Sequence, residues 1–179
     1  MNNSTVETGQ ARFRLVGVRL DPNFPSPDFY TVLRDEPADW PILYEGQIIF
    51  FHKPEEAQEA LDFYLHHLGL PPGTVPTEPD VILDFAQALY LLSTESRDEA
   101  CCVLNVVNTL LDMLQAAAVK LPAKYRADLH RIADHLTFNK EFGSFLQDRQ
   151  PGRAEVIEAL QWALGGVMTR AMFFPKPNS

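Results

Sequence analysis

Proline placement is the strongest constraint on this chain. Ten of its fourteen prolines lie in the first 80 residues and only four in the remaining 99. A proline ring fixes φ and removes a backbone donor, so it breaks helix interiors and sits only at edges or bulges of sheets. Long regular helices therefore belong to the second part of the chain. Short strands with irregular connections belong to the first.

Residues 11–20 (ARFRLVGVRL) and 29–34 (FYTVLR) are rich in aromatic and β-branched side chains, and DPNFPSPD between them must be loop. In the first run the apolar phase changes from Phe13 and Leu15 to Val16, Val18 and Leu20, with Gly17 at the junction. Such a change predicts either a bulge or a strand covered on both faces. Ile42-Leu43-Tyr44 and Gln47–Phe51 flank Glu45-Gly46, the pattern of a tight hairpin with Gly46 at positive φ.

From Pro54 the period changes. Ala57, Ala60, Leu61, Tyr64, Leu65 and Leu68 form one helical stripe. Pro54, Glu55 and Glu56 suit its start, and Gly69 its left-handed cap, with Pro71 and Pro72 barring continuation. After a linker over 70–79, a helix is predicted from about Asp80 to Ser93. The capping box Ser96-Arg97-Asp98-Glu99 opens a long one to about Lys120. A further helix follows Pro122 to about Phe138, then a short piece at 141–146, and a last helix runs from about Arg153 to Met172. The expected class is α+β. A disordered lead-in (1–10) precedes a small antiparallel sheet of three to four strands with one tight hairpin (11–53). A bundle of four to five helices (54–174) packs with it as one composite domain, and 175–179 form a disordered tail.

Nineteen aromatic side chains are too many for a solvated coil, so whole-chain disorder is excluded. The net charge of −9 excludes a strongly basic nucleic-acid binder. That charge is concentrated: residues 21–99 hold sixteen acidic against three basic side chains, whereas 100–179 hold seven against nine. Such a region can simply keep a protein soluble. Alternatively it steers a basic protein partner, or docks on the basic stretch Lys120–Arg153 of a second subunit; it argues against nucleic acid and anionic membrane as ligands. No window is apolar enough to span a bilayer, and MNNSTVETGQ lacks the charged and apolar regions of a secretory signal, so a cytoplasmic location is expected. Cys101 and Cys102 are adjacent, and neighbours on a helix point about 100° apart, which predicts a reduced thiol pair.

Candidate sites are few. On the 97–120 helix Asn105, Asn108, Thr109, Asp112 and Gln115 form one narrow polar line, and Asp80, Asp84 and Gln87 form another on the helix before it. These lines suit thin solvent edges, a dimer seam, or a polar pocket lined by Asp84, Asn105, Asn108 and Asp112. His66-His67 and the pair His130 and His135 lack the spacing of a metal site, so neither metal nor cofactor is expected. No nucleophile elbow or phosphate loop is present. Met168, Met172, Phe173 and Phe174 make the chain's end unusually apolar, which calls for cover by the sheet of the same chain or by a second copy; the second copy is the expected interface. Taken together, the sequence points to a non-enzymatic cytosolic protein that acts through protein–protein contacts and forms a homo-oligomer. The alternative is a small-molecule-binding or enzymatic helical domain using the Asp84, Asn105, Asn108, Asp112 pocket.

Overall fold

The computed structural model describes residues 12–35, 39–94, 100–139 and 152–174. The expectations for 1–10, Ser96–Glu99, 141–146 and 175–179 lie outside them. Five strands come first: β1 (Phe13–Arg19), β2 (Phe29–Arg34), β3 (Trp40–Pro41), β4 (Leu43–Tyr44) and β5 (Gln47–Phe51). A single 3-10 turn (Pro54–Glu56) leads into α1 (Ala57–His67). There follow β6 (Val81–Asp84), α2 (Phe85–Ser93), α3 (Ala100–Ala116), α4 (Ala123–Asn139), α5 (Arg153–Met168) and β7 (Ala171–Phe173). The class is α+β, with a larger sheet than the sequence suggests: seven strands, in the order β4-β5-β2-β1-β6, with β3 also on β2 and β7 also on β5. The pairings of β1 with β6 and of β5 with β7 are parallel, the others antiparallel.

The phase change in β1 has a simple cause. Its register against β2 runs unbroken from Phe13↔Arg34 to Val18↔Phe29, so there is no bulge. Both faces are buried. Phe13 and Leu15 meet α1, while Val16 and Val18 meet the other helices. Gly17 is glycine because the loop packs on it: a Cβ there would lie 2.5 Å from Pro27 Cγ. In the hairpin Glu45 and Gly46 take φ of 51° and 77°, the two positive values of a type I′ turn.

The sheet separates two cores. On one face, among the described helices, α1 alone lays Ala57, Ala60, Leu61 and Leu65 against Leu15, Val32, Ile49 and Phe51. Its entry is fixed by Glu56, whose carboxylate accepts from the backbone N–H of His52 (3.1 Å) and Lys53 (3.3 Å). Gly69, at φ 64°, ends it as expected. On the other face α2 to α5 enclose Val16, Val18, Phe29, Leu33 and Phe50 with Leu92, Val106, Leu110, Leu129 and Leu160. Each such side chain contributes about 1.5–3 kcal/mol on burial. The first helix is thus not part of the bundle.

Three helix predictions are corrected at their ends. Val81–Asp84, read as the opening of a helix, is instead a strand parallel to β1, because the open edge of β1 offers these apolar residues a ladder. The helix starts only after Asp84, whose carboxylate accepts from Gln87 N–H at 2.8 Å. The last helix stops at Met168, four residues early, and Ala171–Phe173 add to β5. Phe174 N–H then donates to Phe50 O at 2.6 Å. Similarly, α3 ends at Ala116, short of Lys120, and Ala118 turns the chain at φ 53°.

Candidate functional site

Two of the four residues expected to line a pocket share a cavity. The α3 polar line runs beside β3, with Asn105 and Asn108 exposed and Thr109 and Asp112 half-buried. Asn105, Asn108 and Thr109 meet Arg14 and Asp39 around a cavity of about 150 Å³, floored by Val16, Leu33, Val81 and Leu83. The Arg14 guanidinium pairs with Asp39, and its Nε faces Asp35 Oδ1 at 2.5 Å, off the N–H axis and so as an ion pair. Burial, and secondarily the charge of Asp39, pushes the Asp112 carboxyl above the usual range. A volume of 150 Å³ holds a molecule about as large as benzene. The amides and the hydroxyl offer donors and acceptors around it.

Asp84 does not join this pocket. As the cap of α2 it holds Gln87 N–H, and it forms an ion pair with Arg19. The reason is the strand at 81–84, which sets Asp84 opposite Arg19 in the β1 register. Asp80 is likewise structural, accepting from Leu15 N–H at 3.1 Å. Cys101 is exposed, and Cys102 is half-buried with its Sγ 3.6 Å from the Asp84 carbonyl oxygen.

The apolar end of the chain is covered by the chain itself. Phe173 packs edge-on against Phe29 (5.8 Å between centroids) and stacks on His52 (4.8 Å). Phe174 meets Phe63 at 5.6 Å, and Met172 lies against the core under α1. Met168 packs against the core on the opposite face. Phe173 keeps 38% of its surface exposed. The surface that motivated an interface at Met168, Met172, Phe173 and Phe174 is therefore largely used inside the chain, because Ala171–Phe173 find a free edge on β5.

A feature the sequence reading missed lies at the turn between α3 and α4. Between the end of α3 and the first two turns of α4 runs a groove of about 660 Å³. Its walls are apolar, from Leu111, Leu114, Val119 and Leu121 with several alanines; its polar members are Gln115, Lys120, Arg126 and His130. Among the described residues no carboxylate lines it. The turn shapes it: Ala118 in left-handed conformation lets Val119 N–H reach Leu114 O at 2.8 Å, and the chain then leaves α3 at a sharp angle. A second groove of similar size lies on the other side of Val119–Leu121, beside Trp162, which is 53% exposed and stacks on Tyr125. The sequence did hold a signal. Met113–Ala127 contains three basic residues and no acidic one, in a chain of net charge −9.

Among the described residues no group of three or more His, Cys, Asp or Glu is placed to hold a metal ion, and no helix is long and apolar enough to cross a membrane. No family model, no curated protein and no solved structure matches this chain.

Proposed function

We propose that this protein acts through protein–protein contacts rather than by catalysis, and that the α3–α4 groove takes hold of an acidic amphipathic segment. One observation carries the reading: apolar walls with Lys120, Arg126 and His130 and, among the described residues, no carboxylate, on a chain that is acidic as a whole. Apolar area supplies affinity, and the cations orient the segment and reject basic competitors. The volume falls within the range of about 300–1,000 Å³ usual for ligand sites. Two or three buried aliphatic anchors, less the cost of association, correspond to micromolar binding. Helix-in-groove recognition of this kind reads anchors at i, i+3, i+4 and i+7.

The test is a pair of fluorescein-labelled peptides with the same leucine spacing, one carrying glutamate and the other lysine at every polar position. Polarisation is expected to show saturable binding of the acidic peptide only, lost in Lys120→Glu/Arg126→Glu. Equal binding of both peptides, or none, rules the reading out. The cavity beside β3 supports a second reading, a small polar ligand held by Asn105, Asn108 and Asp39, because two predicted residues meet there.

A further inference from the structure

We infer that the α3–α4 groove takes the exposed acidic face of α1 and the leucines that follow it from a second copy, so that the chain associates head to tail. This rests on the groove reading above and names its partner. The outer face of α1 and of the turn before it carries Glu55, Glu59 and Asp62, all exposed and spaced four and three residues apart. Residues at such spacing share one helical face. Just beyond the helix, Leu68 and Leu70 are 48% and 44% exposed, unusually open for leucine. One end of this surface is thus anionic and the other apolar.

The groove presents the complement. Arg126 and His130 stand four residues apart on α4, about 6 Å along the axis. Lys120 lies at the entrance beside the apolar wall of Leu111 and Leu114. Two cations, Lys120 and Arg126, with the His130 imidazole among aliphatic side chains, are therefore matched by three carboxylates that end in two leucines. Residues 21–99, which supply α1, hold the acidic excess of the whole chain.

Topology decides the form of the assembly. α1 packs on one face of the sheet, and α3 and α4 pack on the other. A copy cannot fill its own groove, and both surfaces stay available after one contact is made. The interface joins different patches, so it propagates as a chain or closes as a ring, in contrast to a self-complementary dimer.

Light scattering of the full chain with two variants tests this. Lys120→Glu/Arg126→Glu alters the groove, and Glu59→Ala/Asp62→Ala alters the α1 face; all four positions are exposed, so far-UV circular dichroism should be unchanged. At low salt the wild-type mass is expected to rise above 20.2 kDa as concentration reaches hundreds of micromolar. Each variant alone stays at the monomer mass. Mixed in equal amounts they form a species of twice that mass and nothing larger, since each supplies the surface the other lacks. A wild type that stays monomeric, variants that assemble like wild type, or a mixture that stays monomeric each overturns the inference. If the acidic peptide still binds a monomeric wild type, the groove reading stands and only the second copy is excluded as partner. If the peptide also fails to bind, both fall.

Discussion

Leu61 is the largest fully buried side chain that α1 contributes to the sheet, and Leu61→Ala probes the layer that α1 forms. The substitution removes three carbons from a site enclosed by residues of β1, β2 and β5. At about 0.8 kcal/mol per buried carbon, the transfer loss is about 2.4 kcal/mol. The strands beneath are held by their ladders and cannot collapse fully. A residual void of about 40 Å³ at about 24 cal/mol per Å³ adds about 1 kcal/mol. The expected total is about 3.4 kcal/mol, or a fall of about 7–14 °C in Tm for a chain of this size. Urea unfolding followed by circular dichroism measures it. Hydrogen exchange should show the α1 amides losing most protection, because among the described residues the buried face of this helix packs on the sheet. A loss under about 1 kcal/mol would show that the α1 stripe is not buried against the sheet, and the layered account would fail.

The remaining predictions concern the turn, the α2 cap and the Asp112 carboxyl. Gly46→Val places a β-branched residue at φ 77° and should cost more than about 1 kcal/mol in thermal unfolding; an unchanged Tm contradicts the turn geometry. Asp84→Ala removes the α2 cap and strands Arg19, for a loss of about 1–2 kcal/mol, whereas Asp84→Asn keeps most of the cap. Equal losses for the two would refute the capping role. Asp112 titrates higher folded than unfolded, so the folded state binds the proton more tightly. Stability from this group is greatest below the unfolded carboxylate range and falls as pH rises through it to the folded value. Asp112→Asn should therefore stabilise the protein at pH 7 and not in acid. A pH-independent difference between the two proteins, measured by urea midpoint, would contradict the burial of this carboxyl.

The parts of this fold that were legible in the sequence are those fixed by local stereochemistry. Gly46 and Gly69 take the positive φ their turns need, and Ala57, Ala60, Leu61 and Leu65 form the buried α1 stripe, although Leu68, expected in the same stripe, lies past the helix end and is exposed. The errors come from pairing between distant segments. Val81–Asp84 runs straight into α2 without a breaker, so its apolar residues looked helical, and only the open edge of β1, some 65 residues earlier, makes them a strand. The spacing Asp84-x-x-Gln87 was a cap signal that marks the true start. β7 likewise depends on β5, more than 120 residues away. The site shows the same division. Helical spacing brought Asn105 and Asn108 together, but Arg14 and Asp39 reach them only through the sheet. The groove exists only where α3 stops early and the chain turns at Ala118, which helical spacing alone does not show.

The central claim is that the α3–α4 groove is where this protein binds. Backbone amide chemical shifts of the full chain, followed while the acidic amphipathic peptide is added, test it most directly. The account predicts that the saturating shifts cluster from Leu111 to His130, with Lys120, Arg126 and His130 among the largest, and that the strands move little. Shifts centred instead on Asn105 and Asn108, or spread over the acidic face of α1, or absent at millimolar peptide, would contradict it.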